Sequence, residues 1–289
     1  MHAPLSTPVR RQWTMSDGYS IRGRVWPSSR DNLEYALIYL HGIQSHGGWF
    51  EWSASLLAAS GCAVILPDRR GSGLNEIDRG DTPSWRRWLK DIDEIAAWAR
   101  SEFNVKRFDL AGVSWGGKPA TAWCLRQPTS VRRLLLIAPG LFPAVDVGAW
   151  TRFQIGRALL AGGRRRFNIP LNDPALFTDN PAGRNFIEHD PLKLTDAAAR
   201  FFWQSRLLDR HLLRTAPAAL NCPTTLLLAE SDQIIRNSLT AQWIRRVAGA
   251  ACECVSLPDT EHTPEFAADI YRFEQALRRW LSGESQAIN

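Results

Sequence analysis

The sequence predicts an α/β fold in which a mostly parallel sheet of eight strands has helices on both faces and carries an inserted helical segment. Three observations point to it. Short apolar runs rich in strand-forming residues recur along the 289-residue chain, and they alternate little with polar residues, as is typical of strands buried on both faces. Segments with a helical spacing of apolar residues lie between these runs. One interval of about 80 residues, between the runs that end at Pro139 and begin at Thr224, is far longer than an ordinary crossover between strands.

Eight apolar runs supply the predicted strands. The first two flank the Asp17-Gly18 pair in QWTMSDGYSIRGRVW, and Asp-Gly between two such runs is a strong hairpin signal. The other six are, in chain order, YALIYLHG, CAVILPD, RFDLAGVS, RRLLLIAP, TTLLLAE and CECVSLPD. Because these six are short and alternate little between apolar and polar residues, we expect them to form the buried parallel part of the sheet.

The segment TPSWRRWLKDIDEIAAWAR predicts a long helix, because its apolar residues recur at helical spacing. Thr82 is the predicted N-cap, and Pro83 is placed in the first turn. The tryptophans of this helix are expected to pack in the core rather than to bind a cofactor. The apolar residues with this spacing are Trp85, Trp88, Leu89, Ile92, Ile95 and Trp98.

The long interval is predicted to be a helical cap, residues 141–220, inserted into a core domain made of residues 1–140 and 221–289. Apolar helical stretches near residues 150–160 and 195–213 favour a folded cap over a disordered linker. The cap is expected to line an apolar tunnel for a substrate, with packing of the cap on the core as the alternative role of its aromatic residues. These residues are Phe153, Phe167, Phe177, Phe186, Phe201, Phe202 and Trp203.

Composition argues against several classes of protein. The formal net charge of +6 comes almost entirely from arginine, and no nucleic-acid-binding motif accompanies the densest basic run, GGRRRF. Nucleic acid is therefore not an expected partner. The N-terminal MHAPLSTPVRRQWTM lacks the apolar segment of a signal peptide, and no run of about 18 apolar residues predicts a transmembrane helix. Five scattered cysteines without metal-ligand spacing are expected to be buried free thiols, which favours the cytoplasm.

A serine between two glycines, in RFDLAGVSWGGKPA, follows one of the predicted strands. The Gly-x-Ser-x-Gly string alone is weak evidence, so its position matters. Ser114 ends an apolar run and precedes the helix-compatible residues 118–126, which is the setting of a strained turn that lifts a nucleophilic serine above the sheet edge. Gly112 and Gly116 are required there because a side chain at either position would collide with a neighbouring strand or helix. The amide of Trp115 then lies near a helix N-terminus, where it favours negative charge.

A serine nucleophile needs a base and an acid that orients the base. Asp232 follows the run TTLLLAE, and His262 follows CECVSLPD, so both lie just past predicted strand ends, where α/β sheets place their sites. The chain order serine, aspartate, histidine is that of one serine-hydrolase architecture. Glu230 and Asp259 are the competing carboxylates. We expect Glu230 to form a salt bridge and Asp259 to stabilise a turn.

The segment YLHGIQSHGGW contains a loop that is predicted to complete the site. The loop follows a predicted strand, and the amides of Ile43 and Gln44 are candidates to donate to a developing oxyanion, where each such donor typically contributes ~10²–10³ in rate. His41 is expected to lock the loop by hydrogen bonds to the backbone. His46 is either an exposed residue at the rim of the site or a substrate contact. Gln44 is the second candidate for a substrate contact.

With these residues assembled, the chain resembles the α/β-hydrolase superfamily and, within it, the branch of monoacylglycerol lipases, lysophospholipases and the serine aminopeptidase domain. The resemblance runs from the Asp17-Gly18 hairpin to the terminal segment FAADIYRFEQALRRWL. It implies an oxyanion hole formed by the backbone amides of Ile43 and Trp115. It also implies a catalytic triad of Ser114, Asp232 and His262.

Two positions depart from the pattern of this branch. The loop that usually reads HGxxEH has Ser45 in place of the glutamate, and the later DxxGxG stretch has Ser72 where histidine is common. These changes leave the implied triad intact and weaken any inference about the recognition of glycerol.

The resemblance implies a serine hydrolase that cleaves carboxylic esters of the monoacylglycerol or lysophospholipid kind, or esters of another medium-chain acid, without a metal or organic cofactor. The expected partner is a small acyl ester, and the amphipathic cap helices are suited to transient contact with a membrane or micelle surface. A thioesterase, a peptidase or a C–C bond hydrolase with the same triad stays open. So does a catalytically silent receptor on the same fold.

Overall fold

The computed structural model describes residues 2–28, 30 and 33–283, and the chain forms ten strands and eight α-helices within them. The strands are β1 (Val9–Thr14), β2 (Ser20–Trp26), β3 (Tyr35–Leu40), β4 (Ala63–Pro67), β5 (Arg107–Val113), β6 (Val131–Ile137), β7 (Arg166–Asn168), β8 (Asp196–Ala198), β9 (Thr224–Ala229) and β10 (Cys252–Leu257). The helices are α1 (Glu51–Ala58), α2 (Trp85–Phe103), α3 (Gly117–Arg126), α4 (Ala149–Leu160), α5 (Pro181–His189), α6 (Ala199–Leu213), α7 (Asn237–Ala248) and α8 (Tyr271–Ser282).

Eight of the strands form one sheet in the order β1-β2-β4-β3-β5-β6-β9-β10. From β4 to β10 all neighbouring strands run parallel, whereas β2 is antiparallel to both β1 and β4. The side chains of Leu37 and Ile38 in β3 and of Ile65 in β4 are fully buried. The prediction of a mostly parallel eight-stranded sheet is confirmed, and burial on both faces explains why the runs of β3 and β4 do not alternate with polar residues. The expected burial is wrong for β10, which is half-buried because it lies at the edge of the sheet.

The predicted hairpin is also confirmed. β1 and β2 pair from Val9 opposite Val25 to Thr14 opposite Ser20. Between them, Gly18 has a φ of +80°, a value that glycine adopts without the steric cost that a side chain would bring. The turn residue and the pairing of the strands therefore agree with the sequence signal.

Helices flank the sheet. α1 packs against β4 and α8, whereas α3 packs against β5 and β6 and contacts α2. In α2 the predicted apolar residues Trp88, Ile92 and Ile95 are buried in the core. The ring of Trp98, on the same helix, packs edge-on against Trp13 of β1 with 5.2 Å between the ring centroids. The helical spacing in the sequence thus reports a face that packs on the sheet.

The start of α2 differs from the prediction. Its N-cap is Ser84, whose side chain accepts a hydrogen bond from the N–H of Arg87, and the helix begins at Trp85. Thr82 instead donates its hydroxyl to the carbonyl oxygen of Ser84, at 3.2 Å. The fixed φ of Pro83 suits an extended residue before a cap as well as a first helical turn, so the serine that follows it takes the cap.

The interval between β6 and β9, residues 138–223 and called the insertion below, holds α4, β7, α5, β8 and α6. α4 and α6 correspond to the two predicted helical stretches. Residues 196–198, however, form β8, which pairs with β7 as a small antiparallel sheet. Strands of three residues are too short for a hydrophobic pattern to predict. The division into a cap of residues 141–220 and a core of residues 1–140 and 221–289 stays a prediction.

The buried phenylalanines of the insertion divide between two clusters. Phe177 and Phe201 are buried in the main hydrophobic core, whereas Phe167 lies in a small separate cluster with Ile155 and Ala199. Apolar packing therefore attaches the insertion to the rest of the protein, and only part of its aromatic surface is left to line a cavity.

All five cysteines are free. Cys62, Cys124 and Cys222 are buried as predicted, whereas Cys252 and Cys254 are half-buried because β10 is an edge strand of the sheet. Among the described residues, no helix combines the length and the apolar character that crossing a membrane requires. Within the same residues, no group of three His, Cys, Asp or Glu side chains has an arrangement that would hold a metal ion.

Candidate active site

β5 ends in a sharp turn at Ser114. This residue has a φ of +52°, a left-handed backbone that costs a residue other than glycine about 1–3 kcal/mol, and residues 114–116 form a 3₁₀ turn that leads into α3. A Cβ on Gly116 would lie 2.2 Å from the carbonyl oxygen of Leu40, and a Cβ on Gly112 would lie 2.7 Å from the carbonyl oxygen of Gly116. Both glycines are therefore required, as the sequence predicts, and the turn lifts the serine side chain above the edge of the sheet.

Ser114, His262 and Asp232 are joined by hydrogen bonds. Ser114 Oγ and His262 Nε2 are 2.8 Å apart, and His262 Nδ1 and Asp232 Oδ2 are also 2.8 Å apart. The side chains of Asp232 and His262 are almost wholly shielded from solvent. Because an ionised carboxylate only accepts hydrogen bonds, the proton of a neutral His262 sits on Nδ1, and Nε2 is left to accept the hydroxyl proton of the serine.

The loops after β9 and β10 position the acid and the base. Asp232 Oδ1 accepts hydrogen bonds from the N–H groups of Ile234 and Ile235, at 2.8 and 3.0 Å, so Oδ2 is left for His262. Because β5, β9 and β10 run parallel, their carboxyl ends meet at one edge of the sheet. The three side chains are distant in sequence, and the strand direction is what brings them together.

The competing carboxylates lie elsewhere. Glu230 is exposed and accepts a hydrogen bond from Ser256 Oγ at 2.7 Å, with no ion pair among the described residues, so the expected salt bridge is wrong. Asp259 has a φ of +50° in the turn after β10, which agrees with its expected role in a turn. Neither carboxylate forms a hydrogen bond with His262 in the described part of the chain.

The loop after β3 lies directly against Ser114. A Cβ on Gly42 would lie 3.3 Å from Ser114 Cβ and 3.5 Å from its Oγ. The N–H of Ile43, the next residue, has no hydrogen-bond acceptor among the described residues. The N–H of Trp115 lies in the first turn of a helix, where intrahelical acceptors are lacking. Both residues border the same cavity as Ser114, so their amides are the candidate donors to an oxygen of a bound ligand.

His41 holds the loop after β3 in place by two hydrogen bonds to the backbone. Its Nδ1 donates to the carbonyl oxygen of Gly42 at 2.9 Å, and its Nε2 accepts from the backbone N–H of Arg69 at 2.8 Å. Burial, followed by the charge of Arg69, holds the pKa of His41 well below its ordinary value, so the ring is neutral and both nitrogens can serve these bonds. The expected role of His41 as a lock for the loop is confirmed.

The guanidinium group of Arg69 holds the same loop. Its Nη1 and Nη2 donate to the carbonyl oxygens of Gly42 and Ile43, at 3.1 and 3.0 Å. The group lies 4.6 Å from the ring centroid of Trp115 and 5.1 Å from that of Phe201, within the range of cation–π attraction. Burial lowers the pKa of Arg69 to about 9, so the group stays charged at neutral pH. A fixed positive charge therefore lies next to the carbonyl oxygens of Gly42 and Ile43.

A cavity of about 400 Å³ opens beside Ser114. This volume falls within the range of pockets that bind small molecules. Its walls come from the loop after β3, from α4 and from α6, and apolar side chains such as Ile43, Ile155, Leu159 and Phe202 make up much of them. The serine hydroxyl is thus in the wall of a largely apolar cavity to which the insertion contributes.

A family model described as serine aminopeptidase, S33, matches residues 31–266. The chain belongs to this family. The match includes the Ser114 turn, the loop after β3, the insertion and the strands that carry Asp232 and His262.

Two curated proteins illustrate the relatives of this S33 family member. YnbC, an uncharacterized protein of Escherichia coli K12, is 24% identical over 293 residues, which cover 98% of this chain and 49% of YnbC. The chain thus spans about half the length of YnbC. The 2-hydroxymuconate semialdehyde hydrolase of Pseudomonas putida is 28% identical over 218 residues, which cover 73% of this chain and 76% of that protein.

Among solved structures, a soluble variant of the monoglyceride lipase of Saccharomyces cerevisiae in complex with a substrate analog superimposes with a TM-score of 0.83. The two chains are 15% identical, and the superposition covers 99% of each. At this level of identity the similarity shows the fold, which is that of the α/β-hydrolases.

In this S33 family member, the two candidate substrate contacts lie away from the cavity. His46 is 4% exposed, its Nε2 donates to Asp190 Oδ2 at 3.0 Å, and its Nδ1 accepts from the N–H of Gly48. Gln44 is buried and donates to Asn172 Oδ1 at 3.4 Å. Neither residue borders the cavity beside Ser114. The expectation of an exposed His46 is wrong because the insertion covers it, and both side chains connect the loop to the insertion.

Asp190, which follows α5, is one residue that the sequence did not single out. It accepts hydrogen bonds from His46 and, at 2.6 Å, from the indole N–H of Trp49. Burial by itself would raise the pKa of Asp190, but these hydrogen bonds hold it below its ordinary value. Asp190 therefore stays ionised and anchors the insertion to the loop after β3.

Lys118 and Asp209 are a second contact that the sequence did not reveal. Lys118 lies four residues after Ser114 on α3, and its Nζ is 2.7 Å from Oδ1 of Asp209 on α6. Both side chains are mostly buried and border the cavity. The only sequence signal was a lysine one helical turn after the serine, and nothing in the spacing indicates its partner.

Proposed function

We propose that the protein is a serine hydrolase that cleaves carboxylic esters through an acyl-enzyme on Ser114. The observation that carries this proposal is the continuous hydrogen-bonded chain from Asp232 through His262 to Ser114, with both links at 2.8 Å, beside a cavity of about 400 Å³. In this arrangement a base is in contact with the nucleophile and is itself oriented by a buried acid, which is the geometry that activates a serine.

The first stage forms the acyl-enzyme. His262 Nε2 takes the hydroxyl proton of Ser114 as Oγ attacks the ester carbonyl carbon, and the carbonyl oxygen becomes an oxyanion. The amides of Ile43 and Trp115 are the proposed donors to that oxygen. Asp232 remains ionised, keeps the imidazole in the required tautomer and stabilises the imidazolium. The carbon–oxygen bond to the alcohol then breaks, and the alcohol leaves with the proton from Nε2.

The second stage returns the enzyme to its starting state. Water gives a proton to His262 Nε2 and attacks the acyl carbon, and a second oxyanion forms at the same amides. When the bond to Ser114 Oγ breaks, the serine recovers its proton from His262 and the carboxylic acid is released. Every proton moves between these residues, the substrate and water, so the proposed reaction requires no metal or organic cofactor.

The cavity favours an ester with an apolar part. Most of its apolar lining comes from the insertion, namely from α4, α6 and the segments 143–147 and 169–171, so residues 141–220 act in this proposal as a cap that completes the acyl site. The volume and the lining suit a medium-chain acyl ester of the monoacylglycerol or lysophospholipid kind. The Saccharomyces cerevisiae lipase with the same fold is named for monoglycerides, which supports this substrate class.

The outer face of α4 supports transient contact with a membrane or micelle surface. Trp150, Phe153 and Leu160 are 67%, 54% and 92% exposed, and their spacing places them on one side of the helix. Exposed aromatic and leucine side chains on one helix face insert shallowly into lipid interfaces. Cosedimentation with phosphatidylglycerol vesicles should fall on Trp150→Ser/Phe153→Ser, and equal binding of that variant would remove this part of the proposal. The expected cytoplasmic location stays a prediction.

The experiment that tests the proposed function measures initial rates on p-nitrophenyl esters from acetyl to palmitoyl, with Ser114→Ala as the blank. We expect hydrolysis that depends on Ser114 and has an optimum at a medium chain length. Equal rates for Ser114→Ala would overturn the assignment of the nucleophile. Inactivity of the folded wild-type protein on the whole panel would favour thioester, peptide or C–C substrates, or a silent receptor. The relative named 2-hydroxymuconate semialdehyde hydrolase makes its own substrate the next compound to assay.

A further inference from the structure

The cavity beside Ser114 has an excess of positive charge. Its lining contains four basic side chains but only two carboxylates. Both carboxylates are already paired: Asp209 with Lys118 at 2.7 Å and Asp146 with Arg152 at 2.8 Å. The other two basic residues of the lining are Arg206 and Arg210, both on α6.

These two arginines have no carboxylate partner among the described residues. The side chain of Arg206 has no hydrogen bond or ion pair there, and the guanidinium group of Arg210 lies 5.5 Å from the ring centroid of Trp203. They are four residues apart on α6, so their side chains lie on the same face of the helix. Two guanidinium groups on one face of a cavity form a candidate anion-binding site, in which an anion would accept forked, charge-assisted hydrogen bonds.

α6 also sets the distance between the two arginines and Ser114. Its residues that border the cavity change from aromatic at the N-terminal end, with Phe201 and Phe202, to polar and basic toward the C-terminal end. Ser205 accepts a hydrogen bond from the indole N–H of Trp115 at 2.9 Å, which fixes this part of the helix next to Ser114. Arg210 is five residues further, about 7.5 Å along the helix axis.

We propose that the substrate carries a terminal anionic group, a carboxylate or a phosphate, which Arg206 and Arg210 bind while the ester carbonyl lies at Ser114. This inference rests on the proposed ester hydrolysis and narrows its substrate class. The apolar walls hold the chain between the two ends, and the pairing of Lys118 with Asp209 leaves the α6 arginines as the positive charges without a carboxylate. A neutral ester of the same length would leave the two guanidinium groups unpaired.

The kinetic test compares two esters that differ at one end. Mono-p-nitrophenyl sebacate has a carboxylate where p-nitrophenyl decanoate has a methyl group. We expect the ratio of their kcat/KM values to favour the sebacate in the wild type. This ratio should fall about tenfold in Arg206→Gln/Arg210→Gln, since both arginines are exposed and each exposed charge pair contributes modestly.

The matched control is Arg157→Gln/Arg214→Gln. Arg157 lies on α4, and Arg214 directly follows α6. Both are exposed and neither borders the cavity. The variant loses the same net charge as Arg206→Gln/Arg210→Gln. It should keep the wild-type ratio. An equal ratio in the wild type and in Arg206→Gln/Arg210→Gln would overturn the inference, and so would an equal fall in the control, because the effect would then come from net charge alone.

A second readout separates this inference from the proposed function. Labelling of Ser114 by a fluorophosphonate should be slowed by octyl phosphate or by suberate more than by 1-octanol, and Arg206→Gln/Arg210→Gln should lose that protection. Stronger protection by octyl phosphate than by suberate would identify a phosphate as the anionic group, and the reverse a carboxylate. Labelling without selective protection would overturn the inference alone. Absence of labelling would overturn the proposed function and this inference with it.

Discussion

Arg69 donates a hydrogen bond to the carbonyl oxygen of Gly42, with 3.1 Å between Nη1 and the oxygen. The peptide unit that carries this carbonyl also carries the N–H of Ile43, and in a trans peptide the two groups point in opposite directions. A guanidinium bound to the carbonyl therefore fixes the plane of the peptide and aims the Ile43 N–H away from Arg69. Bonds in such a chain also polarise one another, so the charge of Arg69 strengthens the N–H as a donor.

Replacement of Arg69 by methionine should lower kcat about tenfold to a hundredfold and change KM little. The reason is that the Ile43 amide meets negative charge mainly in the transition state, and loss of a direct oxyanion donor costs about 10²–10³ in kcat. The measurement is a full kinetic analysis on a medium-chain p-nitrophenyl ester. Affinity for a trifluoromethyl ketone, whose adduct places an oxyanion at the same amides, should fall by about the same factor as kcat.

Arg79→Met is the matched control for this prediction. Arg79 is half-buried like Arg69 and also donates to backbone carbonyl oxygens, those of Gly73 and Leu192, at 2.9 and 3.0 Å. Loss of stability alone would affect both variants alike. Equal kinetics for the two variants, or a change in KM without a change in kcat, would show that Arg69 has no part in transition-state stabilisation.

Asp232→Asn should lower kcat by about 10⁴-fold, by analogy with the Ser-His-Asp triad of serine proteases. An asparagine that donates to His262 Nδ1 stabilises the wrong tautomer, with the proton on Nε2, so the base no longer faces Ser114. Glu230→Gln provides the comparison, because Glu230 is an exposed carboxylate two residues earlier that bonds to Ser256. It should stay within about twofold of the wild type, as surface substitutions usually do. Greater damage from Glu230→Gln would mean that the acid is misassigned.

Glu265 should make stability depend on pH. Its side chain is 4% exposed, Oε1 accepts from the N–H of Ser53 at 3.0 Å, and Oε2 has no hydrogen-bond partner among the described residues. Burial raises the pKa of Glu265 to about 8, so the folded protein binds a proton that the unfolded chain releases near its ordinary pKa of 4.5. The free energy of unfolding should therefore fall as pH rises from about 5 to about 8, by at most about 1.4 kcal/mol per pH unit.

Glu265→Gln tests this dependence, because a neutral amide resembles the protonated acid and does not titrate. Urea unfolding between about pH 5 and about pH 8 should show a flatter profile for this variant than for the wild type. Glu188→Gln, which removes an exposed carboxylate on α5, should retain the wild-type slope. If Glu265→Gln keeps the wild-type slope, the dependence of stability on pH comes from other groups.

The sequence predicted the central sheet and the neighbourhood of Ser114 because both depend on local patterns. Apolar runs indicate strands, and parallel strands deliver their carboxyl ends to one edge, so residues just past three strand ends were expected to meet. Gly112 and Gly116 were predictable from the turn itself. The N-cap of α2 was missed by two residues, since Thr82 and Ser84 are both good caps and Pro83 is compatible with either choice.

Contacts between the insertion and the rest of the protein were not predictable in the same way. His46 was expected to be exposed or to touch substrate, but Asp190, far along the chain, covers and binds it. Arg69 and the Lys118–Asp209 pair depend on where charged side chains meet after folding, and no spacing in the sequence encodes that meeting. The three-residue strands β7 and β8 are too short for hydrophobic periodicity to reveal.

The most direct test of Ser114 as the nucleophile is fluorophosphonate labelling followed by peptide mapping. We predict one equivalent of label on Ser114, none on Ser114→Ala, and greatly slowed labelling of a folded His262→Ala variant, because the serine then lacks its base. Label on a different residue, or no label on a folded wild-type protein that still hydrolyses esters, would contradict Ser114 as the nucleophile.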